Sequence, residues 1–301
     1  MALKAEGSRF FLRIAEVIHC SVWVQDQESI NVVHEMKGKE TPMVRFRMVL
    51  SGLMLAAAMT APQSAIAEPV QVRTDYKVSL VGFPVASANF VTRVDGASYS
   101  ISGDLRSSAF SDIFSKVRGN ANVSGTVTGD KLEASKFLVA YTSDKKKHRT
   151  EITFRNGDVH STVNEPKQKP RGSDWVPLLE GDLRKVLDPL SGLVFPAGSA
   201  VCPRSLPIFD GEARATLHLT PKSVRPFRTK GFKGDAIVCN VRFEPNSGYR
   251  KNSSGIRYLR ELKGAEVWFA KNDAVGLYAP VYAKVPTKIG KVIVAATRFG
   301  G

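Results

Sequence analysis

Cysteine, histidine and carboxylate side chains are the groups in this sequence that could carry chemistry, and the first two are sparse. Three cysteines occur, Cys20, Cys202 and Cys239. Cys202 lies in "VCPRSLPIFDG" and admits three roles: nucleophile, metal ligand or half of a disulfide. A thiolate nucleophile needs a neighbouring base, usually histidine. Beyond residue 67 the histidines are His148, His160 and His218. His218 alternates with Leu217 and Leu219, which puts it on the polar face of a strand. A zinc site needs three or four ligands, and neither CxxC nor HxxxH occurs. Ser205 follows an arginine, but no GxSxG elbow surrounds it. Carboxylates at Asp174, Glu180, Asp182, Asp188, Asp210, Glu244, Glu261 and Glu266 show no spacing that fixes a pair beside a nucleophile. Asp210 next to Gly211 reads as a turn. No cofactor motif is present.

The role of the cysteines depends on where the chain resides. Residues 43–67 read "MVRFRMVLSGLMLAAAMTAPQSAIA". Arg45 and Arg47 form a basic start, Met48 to Ala61 an apolar run of 14 residues, and Ala65-Ile66-Ala67 a small-residue cleavage site. That is the layout of a secretory signal peptide cut before Glu68. The run is shorter than the roughly 20 residues of a membrane anchor, so no integral membrane segment is expected after cleavage. Residues 1–42 then read as a non-native extension from an upstream start codon, or as a disordered one. In an oxidising compartment Cys202 and Cys239 read as one disulfide. They lie 37 residues apart, a loop whose closure contributes ~3–4 kcal/mol.

The formal net charge is +15. Such a charge fits nucleic acid, an anionic membrane surface or plain solubility. Export argues against nucleic acid. The positive residues are spread rather than stacked on one helix, with concentrations at Lys145, Lys146, Lys147 and Arg149, and between Lys222 and Lys233. Lys145, Lys146, Lys147, Arg149, Arg225 and Arg228 are candidates to meet anionic head groups. A solvated basic surface is the plainer reading of the same residues.

From Val70 onward, short alternating runs are broken by turn residues. Asp95-Gly96, Gly129-Asp130 and Asn156-Gly157 mark hairpins. "DWVPLLEGDLRKVLDPLSGLVF" has helical leucine spacing between Pro177 and Pro189, which predicts one or two short helices covering one end of a sheet. Ala109 to Lys116 reads as a helical turn or a bend. Strands then return to the end of the chain. The expectation is an all-β domain over 68–301: a strongly curved antiparallel sheet, half-barrel or barrel, with one or two short helices. The Pro/Lys-rich loop 165–172 is the best sub-boundary. A concave interior would be lined by alternate side chains, with Tyr76, Phe90, Tyr99 and Tyr141 as candidate ligand contacts from the first half. Phe243, Trp268 and Tyr278 are candidates from the second. Such aromatic stripes are also what an ordinary core requires.

Several blocks together resemble a known family. They are "YKVSLVGFPVASANF", "DPLSGLVF", "CPRSLPIFDGEARATLHL", "CNVRFEPNSGY" and the tail "AEVWFAKNDAVGLYAPVYAKVPTKIGKVIVAATRF". In this order, over about residues 74–299, the chain is similar to the bacterial domain-of-unknown-function family 3108, exported proteins of Gram-negative bacteria. Ala86-Ser87 departs mildly from its pattern in the first hairpin. The resemblance implies an envelope location and a β-rich fold, and no activity.

The leading expectation is a non-enzymatic periplasmic protein that binds an apolar or amphiphilic ligand, a lipid for example, or a protein partner, on a curved sheet. The alternatives are a hydrolase acting on a wall or glycan substrate, and an assembly factor that pairs through a sheet edge. The exported chain is expected to begin at Glu68, which N-terminal sequencing of protein from an envelope extract would show. A chain still carrying residues 43–67 would contradict the signal reading.

Overall fold

The computed structural model describes residues 69–112 and 116–300. The proposed extension and signal peptide, 1–67, lie outside the described residues.

Fourteen strands make the fold. In chain order they begin with β1 (Val70–Leu80), β2 (Phe83–Asp95), β3 (Ser98–Ser107), β4 (Val117–Thr128) and β5 (Lys131–Ser143). Next come β6 (Lys146–Arg155), β7 (Asp158–Glu165), β8 (Phe195–Pro196) and β9 (Arg204–Phe209). The last five are β10 (Arg214–Thr229), β11 (Phe232–Ser247), β12 (Glu266–Asn272), β13 (Leu277–Thr287) and β14 (Gly290–Phe299). All are joined in one antiparallel sheet, ordered β7-β6-β5-β4-β3-β2-β1-β14-β13-β12-β11-β10-β9, with β8 on β13. The curved sheet expected from the hairpin pattern is present, and it is open rather than closed edge to edge.

Alternation builds its inside. Val72, Thr92, Ile101, Val123, Phe137 and Ile152 are successive cross-strand partners from β1 to β6. Paired residues share a face, so this row runs as an apolar belt around the concave side. Phe137 and Ile152 are fully buried in it. Gly103 belongs to the same face. A Cβ there would lie 2.2 Å from Phe90 Cδ1 and 2.5 Å from Asn89 O. Only glycine leaves room for the Phe90 ring to lie across the strand.

The segment expected to be helical is a strap instead. Only two 3₁₀ turns form, Glu180–Leu183 and Ser191–Leu193. Between them the backbone hands its hydrogen bonds to both edges of the sheet. Lys185 N donates to Asp158 Oδ1, and Val186 N to Gly157 O, both at the β6–β7 turn. Leu187 N donates to Pro207 O and accepts through its carbonyl from Phe209 N of β9. Its apolar residues Val186, Val194, Leu178, Leu183 and Leu190 enter the same core as Tyr99 and Phe137. That core includes residues on both sides of loop 165–172, so the loop does not separate two cores.

A second layer covers the outward side of the later strands. The β10–β11 hairpin bends at a bulge beside Lys222 and curls back. Phe299 N donates to Lys230 O, and the Phe232 and Phe299 rings meet at 5.3 Å. Ala236, Ala270 and Val281 are fully buried beneath it. The helix Ser254–Glu261 follows β11, with the Ser253 hydroxyl accepting from Ile256 N as N-cap. A four-residue helix at Ala109–Asp112 occupies the place read as a helical turn or bend.

Phe137→Ala is expected to destabilise the fold by about 3–5 kcal/mol. A urea titration would show a lower midpoint at unchanged slope. A wild-type midpoint would mean that the belt is not the shared core.

Candidate functional site

Cys202 and Cys239 are joined as a disulfide with Cα atoms 6.3 Å apart. Cys239 is fully buried among Leu206, Ile208, Val267 and Phe269. The bridge ties the loop before β9 to the middle of β11, so neither sulfur is a nucleophile or a metal ligand. Among the described residues no cluster of three or more His, Cys, Asp or Glu is placed to hold a metal. The Asp210 carboxylate accepts from Glu212 N at 2.9 Å and Ala213 N at 2.8 Å. It closes the turn read from its sequence.

The aromatic candidates do not form one lining. Tyr76, Phe90, Tyr99 and Tyr141 all face inward from β1, β2, β3 and β5. Phe90, Tyr99 and Tyr141 pack with Phe137, while Tyr76 meets Phe90 edge-on and donates to Pro280 O. Phe243 and Tyr278 pack in the neighbouring cluster around Phe269. Trp268 is on the other side of the sheet, paired with Val238 and Tyr282. A bulge between Trp268 and Phe269 and the two-residue alternation send adjacent aromatics to opposite faces. Phe90, Tyr99, Tyr141, Phe243 and Tyr278 are thus packed against buried residues. Two concavities, at Tyr141, His148 and Asp210 and at Phe243 and Tyr249, have about 20 and 10 Å3 of free space. Each holds about one water, far less than an acyl chain.

Three polar constellations were not foreseen from spacing. Inside, the fully buried Asp188 carboxylate accepts from Leu190 N and Ser191 N and from the Ser191 hydroxyl. Burial pushes this carboxyl up, against those hydrogen bonds. Its fixed bonds close the bend that leads into the second 3₁₀ turn. Outside, Ser205 Oγ lies 2.9 Å from His218 Nδ1, and His218 Nε2 lies 2.8 Å from Glu244 Oε2. The ring nitrogens are used in the opposite sense from a Ser-His-Asp hydrolase. The row crosses β9, β10 and β11 on their outward face, and Ser205 and His218 are direct cross-strand partners. Register, not sequence spacing, brings these residues together. The third is Glu266, buried at 8% side-chain exposure. It accepts from Lys222, from Lys284 at 3.0 Å and from the Trp268 indole at 3.4 Å. Burial raises its carboxyl, but the hydrogen bonds from the two lysines and the indole prevail and bring it to about 2.

The predicted head-group residues divide. Arg149 is engaged by Glu151 and, at 3.7 Å, by Glu165. Arg225 lies over the Trp268 ring at 5.8 Å. Arg228 is exposed on the long hairpin, opposite Lys233. Lys145, Lys146 and Lys147 are exposed at the β5–β6 turn. There they join a row that spacing did not reveal. Lys77, Ser87, Arg106, Arg118, Thr142 and Lys147 are successive partners across β1 to β6. All four cations are exposed, and Arg106 faces Arg118 directly. Five strand spacings span about 24 Å. Among the described residues none of the four forms an ion pair. Exposed Lys116, Lys288 and Lys291 lie at the same end of the sheet. At this end Asp112 takes the Ser107 hydroxyl and Asp144 the Lys116 amide. The other end holds the ion pairs Arg204–Asp130, Lys131–Glu133, Lys185–Asp158 and Lys271–Asp273. No helix among the described residues is long and apolar enough to cross a membrane.

A family model described as "Protein of unknown function (DUF3108)" matches residues 75–297. No curated protein matches the chain. Among solved structures, the chain is similar to a Brucella abortus protein described as a beta-barrel-like protein of domain of unknown function DUF1849. That similarity has 8% identity and a TM-score of 0.43, over 77% of this chain and 97% of the other.

Replacing Glu266 by Gln removes the charge that holds Lys222 and Lys284, and is expected to destabilise the fold by ~1–3 kcal/mol at neutral pH. The folded carboxyl lies below its ordinary value, so its contribution is complete above that value and is lost as pH falls toward about 2. Paired unfolding curves of wild type and variant should therefore converge below pH 4.5. A gap that stayed constant down to pH 2 would contradict the linkage.

Proposed function

The chain belongs to the DUF3108 family, and from that premise we propose a non-enzymatic, exported envelope protein that binds phosphate-bearing amphiphiles on the outside of its curved sheet. The signal-like segment 43–67 and the use of the two later cysteines as one disulfide support export. The packing of Tyr99, Phe137 and Ile152 on the concave face favours an outward site over a carrier cavity. The observation that carries the reading is the exposed, unpaired row Lys77, Arg106, Arg118 and Lys147.

Like charges directly opposite each other on a sheet are unfavourable. A row of them without carboxylates is what an anionic surface would complement. Each cation close to such a surface contributes about 1 kcal/mol at ordinary ionic strength. Four give reversible binding that salt screens. Guanidinium groups at Arg106 and Arg118 add forked hydrogen bonding to phosphate oxygens.

Arg106→Glu separates this from a stability role. It replaces a repulsive cross-strand pair with an attractive one against Arg118, so the urea midpoint should hold or rise. Sedimentation with phosphatidylglycerol vesicles should fall by about tenfold or more. Equal sedimentation of wild type with neutral phosphatidylcholine vesicles, or none with anionic ones at low salt, would overturn the proposal.

A further inference from the structure

The two hairpin tips β1–β2 and β13–β14 lie side by side at the basic end of the sheet, and their apolar residues face water. Val81 is 57% exposed, Phe83 60% and Ile289 42%. Val81 N donates to Lys291 O at 3.1 Å. A Cβ on Gly290 would lie 2.5 Å from Val81 Cγ2, so the Val81 side chain rests on the backbone next to Ile289. Lys288 and Lys291 flank Ile289. No carboxylate occurs in 77–88 or in 284–293.

Backbone geometry makes the valine a choice rather than an accident. Val81 and Gly82 form a two-residue turn with φ of 51° and 87°. Both are positive, as a type I′ hairpin turn requires, and such turns favour Asn-Gly. The β6–β7 hairpin uses that pair: Asn156 and Gly157, with φ of 53° and 81°. A β-branched residue at positive φ is a strained exception. At Val81 the strain is accepted to place an apolar side chain in water, where asparagine would be easier on the backbone and the solvent alike. An outlier that costs stability and leaves more than half of its side chain exposed points to a task outside the folded chain.

We propose that Val81, Phe83 and Ile289 insert into an anionic lipid bilayer, with the adjoining cations on its phosphates. This rests on the head-group reading above and deepens it, because it turns attraction to phosphate into docking of this end of the sheet on a membrane surface. Charge supplies a weak, salt-sensitive contact, and apolar insertion supplies a second anchor that salt does not screen. The occupant is a bilayer rather than a single amphiphile, because the exposed apolar tips and the cations beside them lie together at one end of the sheet.

The test uses phosphatidylglycerol vesicles and two variants. Val81→Asn eases the turn, so its urea midpoint should equal or exceed wild type, while its partitioning onto vesicles falls about tenfold. Ile289→Cys in a Cys20→Ser background, labelled with an environment-sensitive nitrobenzoxadiazole dye, should shift its emission to the blue on binding and become shielded from aqueous iodide. Wild-type partitioning by Val81→Asn, or a dye that stays iodide-accessible on vesicle-bound protein, would overturn insertion and leave the head-group reading intact. Absence of wild-type binding to anionic vesicles at low salt would overturn both.

Discussion

Cross-strand register across one continuous antiparallel sheet is the constraint from which the other features follow. Because paired residues share a face, the row that starts at Val72 in β1 stays on the inner side through β6, apolar except at Thr92, and the intervening row stays outside. One alternation therefore builds two objects: the belt from Val72 to Ile152 and the cation row from Lys77 to Lys147. They cannot be varied independently in position. A one-residue slip of β5 would turn Phe137 out of the belt. The packed inside thus fixes the outward charges to within a side-chain length.

A sheet of this length must solve the problem of its edges. Here β7 and β9 do not pair with each other. The strap between them donates to Gly157 O and Asp158 Oδ1 on one side, and on the other donates to Pro207 O and accepts from Phe209 N. The Asn164 side chain also donates to Gly211 O across the gap. The disulfide lies just beyond, between the lead-in to β9 and β11. β9 has six residues and β10 on one side only, so this covalent tie holds the lead-in of the weakest edge to the core. Strap and disulfide act on the same edge by different means. One satisfies backbone groups and the other limits the chain entropy of the segment that carries them.

Much of this was legible in the sequence, and the failures have physical reasons. Asp95-Gly96, Gly129-Asp130 and Asn156-Gly157 are local signals, since turn conformation depends on the residues in the turn. The curved sheet and the Cys202–Cys239 pairing followed from them and from the compartment. Leu178 to Leu190 misled because leucines entering a core from a strap can recur at helical spacing. What decides between the two is whether the backbone finds partners in its own chain segment or in distant edges. Trp268 misled because "VWFA" is apolar on both sides of a strand, which alternation cannot resolve. The helix Ser254–Glu261 had a signal in Ser253, a capping residue, that the strand pattern obscured. The cation row had no local signal, since Lys77, Arg106, Arg118 and Lys147 lie in separate hairpins and meet only through pairing.

The same fold treats its outward cations in two ways, and the contrast bears on function. Lys222 and Lys284 converge on the buried outward carboxylate of Glu266, whose lowered titration reflects how fully it is matched. Arg149 and Arg204 likewise have acids. Where a cation serves packing or a sheet edge, the chain supplies its counter-charge. Around Arg106 and Arg118 it does the reverse, placing two guanidinium groups on directly opposed positions and leaving them without an ion pair. At the far end Asp130, Asp158 and Asp273 are each in an ion pair, while Arg228 and Lys233 stand opposite each other on the long hairpin. The opposed pair Arg106 and Arg118 lies at the end that also exposes Val81, Phe83 and Ile289. A solvated surface gives no reason for strained apolar tips and unpaired cations to coincide. An interface with negative charge at its rim and hydrocarbon at its centre requires both.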